Sequence, residues 1–213
     1  LALGRTPREA SSVLDLSVGA GGARPKNCRP TAGRIEVCNA RYGANGWLGL
    51  AQIWLSGGHI SQGVAKMNDS YSMYETEKRH VMCQEIGHGF GLGHTSEDGS
   101  SQNTCMDYYQ NQSNSDWTST STNSHDMQML SDIYNHVDAG AKMLPPPPAM
   151  GYIDFAGRDQ WGEEVFRSEN GRGSIFFLDF GHGHGVITEV YWAGDENALS
   201  GSDVPAPWMH QRD

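Results

Sequence analysis

The sequence is short of positive charge and contains no long apolar segment. Fifteen Lys and Arg residues against 25 Asp and Glu residues give the 213-residue chain a formal net charge of −10. An acidic chain of this kind argues against a nucleic-acid-binding surface and against attraction to anionic membranes. No apolar run approaches the roughly 18 residues that a membrane-spanning helix requires. We therefore expect neither nucleic acid nor a membrane among the partners of this protein.

Cysteine is also scarce, and no two of the four cysteines have the C-x-x-C spacing of a four-cysteine zinc site. Four cysteines allow three disulfide pairings, and buried free thiols are the alternative. Cys28 and Cys38 flank a short segment that a disulfide would close as a hairpin, and we expect them to pair. Lys is scarce, whereas Gly, Ser and Asn are abundant, which is typical of loop-rich extracellular proteins. Disulfides and composition together predict a secreted protein.

A motif rich in histidine and glycine lies in the middle of the chain. Residues 84–94 read QEIGHGFGLGH, which is the pattern Q-E-x-x-H-x-x-G-x-x-H. On a helix, Gln84 and His88 lie one turn apart on one face, so both side chains reach the same ion. Gly91 allows the chain to leave the helix and turn back, because glycine tolerates positive φ. His94 then reaches the same ion from a separate segment.

The motif resembles H-E-x-x-H-x-x-G-x-x-H, the zinc-binding pattern of the metzincin superfamily of endopeptidases, and differs from it at the first position. A second segment supports the resemblance. Residues 105–108 read CMDY, at the distance where metzincins carry the methionine of their Met-turn. The resemblance covers roughly residues 34–138. It implies a single catalytic Zn²⁺ held by Gln84, His88 and His94, and a peptide or protein substrate.

The resemblance also implies roles for the remaining site residues. Glu85 is expected to act as the general base for a zinc-bound water, and Tyr108 to stabilise the tetrahedral intermediate. Met106 would support the metal site by packing beneath it. In metzincins the Met-turn underlies the active-site helix, so the resemblance further implies a disulfide between Cys83 and Cys105.

Gln84 stands where the superfamily has histidine, and an amide oxygen is a harder and weaker zinc donor than an imidazole nitrogen. Three interpretations follow. Gln84 ligates zinc through its oxygen; or His88 and His94 hold the ion with additional waters; or the chain is a catalytically impaired, metzincin-like binding protein. His80 lies two turns from His88, about 12 Å along the helix axis. His80 is therefore interpreted either as a residue that contacts a metal ligand without binding the ion, or as a surface residue.

Apolar patterning predicts an α+β fold. Alternating or apolar runs predict strands over 34–38, 47–55 and 59–67. The last of these has the pattern of a sheet edge, and in metzincins an edge strand just before the active-site helix pairs with the extended substrate. An ordinary sheet edge is the alternative.

Two helices are expected in the motif-bearing part of the chain. Ser72 and Glu75 have the spacing of a capping box, which predicts a helix from there to about Gly89. Asn123 or Ser124 is expected to cap a second helix, ending near residue 137. The resemblance implies a metzincin-like catalytic domain with a mixed twisted sheet, an active-site helix, a Met-turn and a C-terminal helix.

The chain divides into five expected parts. Residues 1–33 form a glycine-rich lead-in, 34–144 the metzincin-like catalytic domain and 145–148 a polyproline linker. Residues 149–193 are expected to form a small β-meander docked on the catalytic domain, and 194–213 a disordered tail. A further possible function, as a carbohydrate- or surface-adhesion module, would be supported by the meander alone. The protein is expected to be a monomer.

Overall fold

The computed structural model describes residues 13–21, 24–136 and 145–197, and these form an α+β fold around one six-stranded mixed sheet. The order across the sheet is β1-β3-β2-β6-β5-β4. β1 runs parallel to β3, and the other neighbouring pairs are antiparallel. The predicted α+β class is thus confirmed. In chain order the strands are β1 (Ile35–Ala40), β2 (Trp47–Ser56), β3 (His59–Asn68), β4 (Glu163–Arg167), β5 (Gly173–Gly181) and β6 (His184–Trp192).

The prediction that the 59–67 strand forms a sheet edge is wrong. β3 pairs with β1 on one side and with β2 on the other. Gly57 and Gly58 both have positive φ and close the tight β2–β3 hairpin. Alternation in a sequence reports which side chains are buried, but it carries no information on whether a second strand pairs with the backbone. β1 pairs with β3 from Gly63 to Asn68, so this part of β3 has no open backbone edge on which a substrate can pair.

The three C-terminal strands continue the same sheet instead of forming a separate docked meander. β6 pairs with β2 from Trp47 opposite Trp192 to Leu55 opposite Gly185. This places β6 in the interior of the sheet, between β2 and β5. This pairing joins residues far apart in the chain. Local sequence patterns therefore did not predict it.

The segments that flank the C-terminal strands also depart from expectation. Pro148, the last residue of the expected polyproline linker, has helical backbone angles. It is the N-cap of the short helix α3 (Ala149–Tyr152). Asn197 is buried, and its side chain donates hydrogen bonds to Ser72 O and Glu77 Oε1. Residues 194–197 of the expected tail are therefore part of the fold. The rest of that tail, from residue 198, lies outside the described residues.

Helix α1 (Glu75–Gly89) packs on β2 and β3. The capping box predicted from Ser72 is not formed, because the N-cap is Tyr74 and its side chain makes no capping hydrogen bond. Instead Asn114 Oδ1 accepts a hydrogen bond from Glu75 N at 2.9 Å. A cap supplied by a distant loop leaves no local sequence pattern.

Helix α2 (Ser124–Tyr134) starts as predicted. The side chain of its N-cap, Asn123, accepts from the backbone of Asp126, and the Asp126 carboxylate accepts from Asn123 N at 2.8 Å. The Tyr134 hydroxyl donates to the Phe90 carbonyl at 3.0 Å, which attaches the end of α2 to the end of α1. The predicted end of this helix, near residue 137, lies outside the described residues.

The sheet is covered on both faces. On one face Trp54 packs edge-on against Phe155, with ring centroids 5.4 Å apart. On the opposite face lies α1, and Gly49 of β2 lets the helix approach closely. A methyl group on Gly49 would overlap the Glu85 carboxylate and lie 2.6 Å from Val81 Cγ1. The absence of a side chain at Gly49 thus places Glu85 directly on the sheet.

Both predicted disulfides are present. Cys28 and Cys38 are bonded with Cα atoms 6.1 Å apart, and Cys83 and Cys105 with Cα atoms 5.9 Å apart. The first ties the lead-in to β1, and the second ties α1 to the loop that carries Met106. Among the described residues, no helix is long and apolar enough to cross a bilayer.

Candidate metal centre

The end of α1 turns the chain back towards the helix. Gly91 has a φ of 84°, and its N–H donates to the His88 carbonyl at 2.8 Å. Leu92 N donates to the Gly87 carbonyl at 3.1 Å. These two bonds form a Schellman motif, in which the residue after the helix adopts the left-handed conformation that glycine tolerates. The turn directs the following residues, including His94, back over the last turn of α1.

The same turn orients His88. The Leu92 carbonyl lies 2.8 Å from His88 Nδ1 and can only accept a hydrogen bond, so Nδ1 carries the proton. The Nε2 atom then faces His94 Nε2 at 2.9 Å. Zinc–nitrogen bonds are about 2.0–2.1 Å long, so two nitrogens at this separation are able to bind the same ion. The structure thus brings together the two histidines that the motif singled out.

The pKa values of the two imidazoles are shifted in opposite directions, by burial and by neighbouring charges. The His94 side chain is only 2% exposed, and burial together with the nearby His88 charge lowers its pKa to about 3. Burial also opposes the charged form of His88, but the Glu189 carboxylate beside it raises its pKa to about 9. A neutral His94 has a free lone pair on one ring nitrogen, as a metal ligand requires.

Gln84 is fully buried one turn before His88, and its amide is held in one orientation. Its Nε2 donates to the Asp107 carbonyl at 3.1 Å, and the same carbonyl accepts from His80 Nε2 at 2.9 Å. A carbonyl only accepts, so the Gln84 nitrogen must face Asp107 and Oε1 must face away from it. No described residue donates a hydrogen bond to that buried oxygen. His80 is buried as well, and its role is to attach α1 to the loop around Asp107.

Glu85 is 1% exposed and lies between α1 and the sheet. Burial raises its pKa well above the usual value of a glutamate, and the neighbouring Glu189 adds to the shift, whereas His88 opposes it. Its Oε2 atom accepts no hydrogen bond from any described residue. A buried carboxylate oxygen without a donor is uncommon in folded proteins and is typical of a site that acts on a bound group.

Met106 packs beneath the last turns of α1. It is fully buried, and its sulfur lies against Gly87 of α1. Its carbonyl accepts from Thr95 N at 2.8 Å, which joins the loop to the residue directly after His94. The loop thus supports α1 from below and fixes His94 from the side.

Tyr108 lies at the rear of His94. Its hydroxyl is 3.3 Å from His94 Nδ1, and the two ring centroids are 4.3 Å apart. The hydroxyl fits against Gly173 of β5, where any side chain would overlap it. Nδ1 is not the nitrogen that faces His88, so the geometry makes Tyr108 a residue that positions His94. The contact with a reaction intermediate that the resemblance implies requires the hydroxyl to leave this place.

Glu189 is the site residue that the sequence analysis missed. It lies on β6, and its Oε2 is 2.9 Å from His88 Nδ1. Ligand-type atoms of His88, His94 and Glu189 all lie within 4.8 Å of one another, the one such group of three found among the described residues. Glu189 is the one charged residue in the strand sequence VITEVYW, residues 186–192, and this was the sequence feature that could have identified it. Glu97 also lies beside His94, with its Oε1 3.3 Å from His94 Nδ1.

The donor chemistry of this cluster fits a zinc ion. Neutral imidazole nitrogen and carboxylate oxygen are the protein donors that catalytic zinc uses. The buried atoms Gln84 Oε1 and Glu85 Oε2 have no hydrogen-bond donor among the described residues. Both observations fit a site completed by a bound group.

Comparisons with protein-family models, with curated protein sequences and with solved structures found no match to this chain.

Proposed function

We propose that this protein is a secreted, zinc-dependent endopeptidase. The observation that carries the proposal is the pair of buried imidazoles, His88 and His94, whose Nε2 atoms lie 2.9 Å apart at the end of the helix that bears Glu85. When bound there, zinc supplies Lewis-acid activation of a carbonyl or a water. Gln84 lies one turn before His88 on the same helix face, and its buried Oε1 has no donor among the described residues.

The residues of this chain divide the chemistry among them. Glu85 takes a proton from the attacking water and returns it to the leaving amine, the usual work of a positioned carboxylate. Leu92 O and Tyr108 hold the two imidazoles in orientation from their Nδ1 edges. The sheet and α1 enclose Glu85 away from bulk water. The two disulfides suit an oxidising, extracellular environment, which supports secretion.

A non-catalytic binding protein is the second candidate function, and the Gln84 amide favours it. Its nitrogen is committed to the Asp107 carbonyl at 3.1 Å, a contact that a purely structural residue would make. An adhesion module built on the C-terminal strands loses its basis, because those strands belong to the central sheet.

One set of measurements tests the proposal. The purified, dialysed protein is analysed for zinc by mass spectrometry and then assayed on a library of quenched fluorescent peptides. We expect about one zinc per chain and cleavage that a chelator abolishes. Glu85→Gln should retain zinc and lose about 10²- to 10⁴-fold in turnover, the contribution typical of a general base.

Glu75→Gln is the matched control, because Glu75 lies on the same helix but is exposed and paired with Lys78. It should leave both zinc and turnover unchanged. A chain that takes up no zinc, or an active protein whose turnover survives Glu85→Gln, would contradict the proposal. A protein that binds zinc and cleaves no peptide would favour the binding protein.

A further inference from the structure

Glu189 lies where a carboxylate is costly. It sits on β6 between Ala51 of β2 and Ile175 of β5, and it is 8% exposed. Tyr191, two positions later on the same strand face, packs against His80 of α1 with ring centroids 5.9 Å apart. Glu189 therefore faces α1 from the interior of the sheet. Burying a carboxylate costs several kcal/mol unless a cation or a metal compensates it.

The nearest residue, His88, does not direct its Nδ1 proton at the carboxylate. Glu189 Oε2 is 2.9 Å from His88 Nδ1, but the single proton on that nitrogen is directed at the Leu92 carbonyl at 2.8 Å. Glu189 Oε2 accepts no hydrogen bond with acceptable geometry from any described residue. The carboxylate is thus close to the ring without being the acceptor that orients it. One ligand-type atom from each of His88, His94 and Glu189 lies within 4.8 Å of the other two, close enough for a single ion to contact all three residues.

We infer that Glu189 is a protein ligand of the same metal ion, so that the site is formed by His88, His94 and Glu189. This inference rests on the zinc site of the proposed function and changes its composition. Two neutral imidazoles and one carboxylate reduce the charge of a divalent cation by one and leave a coordination position open, as catalytic zinc sites require. A bound ion also gives the buried Glu189 carboxylate a cationic partner.

The inference accounts for the glutamine at position 84. If β6 supplies the third ligand, the first motif position no longer needs a strong zinc donor. Gln84 then keeps its observed hydrogen bond to the Asp107 carbonyl, which holds α1 against the loop that carries Met106. The C-terminal strands become part of the metal centre.

The test measures zinc affinity by competition with a chromophoric chelator, with no enzyme assay involved. The variants are Glu189→Ala and the isosteric Glu189→Gln, and the control is Glu97→Ala, which removes a carboxylate 3.3 Å from His94 Nδ1. We expect both Glu189 variants to lose more than about 100-fold in affinity, beyond the 10- to 100-fold typical of residues that only orient a ligand. Glu97→Ala should lose about tenfold or less. Thermal unfolding of the metal-free proteins establishes that each variant folds.

The visible spectrum of the Co²⁺-loaded proteins separates a ligand from an orienting residue, because the bands follow the donor set and geometry. We expect the spectrum to change in Glu189→Gln and to stay the same in Glu97→Ala. Wild-type-like zinc affinity in both Glu189 variants would overturn the inference and leave the proposed function standing. Weaker affinity with an unchanged Co²⁺ spectrum would also overturn it, because Glu189 would then act through His88. A wild-type protein that binds no zinc would overturn the proposed function itself.

Discussion

The sulfur of Met106 occupies the space that a side chain at Gly87 would fill. A methyl group on Gly87 would overlap Met106 Sδ and come within 3.2 Å of its Cε atom. Met106 is fully buried in a cluster with Leu92, Cys105 and Leu130, so it has little freedom to withdraw. Gly87, the first of the four glycines in residues 84–94, is therefore required by packing.

Gly87→Ala tests this relationship. We expect a loss of about 1–3 kcal/mol in the free energy of unfolding, the cost of adding a methyl group to a filled core. Gly93→Ala is the matched control, because a Cβ on Gly93 meets no atom within 4 Å. Urea unfolding of the two metal-free variants measures the difference. Equal stability of the two variants would mean that Met106 moves aside at no cost.

Gln84→His restores the zinc-binding pattern of the superfamily. Imidazole nitrogen is a better zinc donor than an amide oxygen, and residue 84 lies one helical turn before His88. We expect zinc to bind at least about tenfold more tightly, which corresponds to about 1.4 kcal/mol. Chelator competition measures the affinity. Gln84→Ala, which removes the oxygen without adding a donor, serves as the control, and unchanged affinity in Gln84→His would mean that position 84 lies outside the reach of the ion.

Lys66 makes stability depend on alkaline pH. It lies in β3 and is 9% exposed, and burial lowers its pKa from 10.5 to about 8 although the charge of Asp154 opposes the shift. Between pH 8 and about 10.5 the unfolded chain binds more protons at this site than the folded one, so the free energy of unfolding rises with pH. Below pH 8 the folded protein carries the full cost of the buried charge.

Lys66→Met removes that charge and keeps most of the side-chain volume. We expect the variant to be more stable than the wild type at pH 7 by at most about 3 kcal/mol, and the difference to shrink as the pH approaches 10. Urea unfolding at pH 7, 8, 9 and 10 gives the profile. Lys78→Met, on the more exposed Lys78 of α1, should show no such trend. A Lys66→Met effect of the same size at pH 7 and pH 10 would contradict the assignment.

A chain that ends at residue 144 should fail to fold. It would lack β4, β5 and β6, and β2 would lose the partner that pairs with it from Trp47 to Leu55. Circular dichroism and resistance to proteolysis would show an unfolded or aggregated product. A chain that ends after Asn197 retains the described elements and should fold. A folded, zinc-binding product from the shorter chain would show that residues 34–144 form a domain of their own.

The sequence predicted the elements of this fold better than their arrangement. Alternating and apolar runs located β1, β2 and β3, and the Asn123 cap located the start of α2, because these features depend on neighbouring residues. The pairing of β6 with β2 depends on contacts between distant parts of the chain, so the meander was expected to lie outside the main sheet. The interpretation of β3 as an edge failed for the same reason.

The candidate site divides along the same line. The spacing within residues 84–94 was enough to bring His88 and His94 together, since one helix and one glycine turn position both. Glu189 lies near them on β6 because β6 pairs with β2. It is about 100 residues from the motif in the chain, so the spacing of residues does not predict its place. The burial of His80 was not predicted either, because its hydrogen bond to the Asp107 carbonyl joins two distant parts of the chain.

The position of β6 in the sheet affects how this protein folds during its synthesis. The ribosome completes the two histidines well before the strand that carries Glu189 and separates β2 from β5. Until that strand emerges, β2 has an open edge and the helix face of the sheet is incomplete, a state that favours association with other chains. Pairing between such distant segments also slows folding. The nascent chain therefore depends on β6 both to complete the sheet and to bring the Glu189 carboxylate to the two histidines.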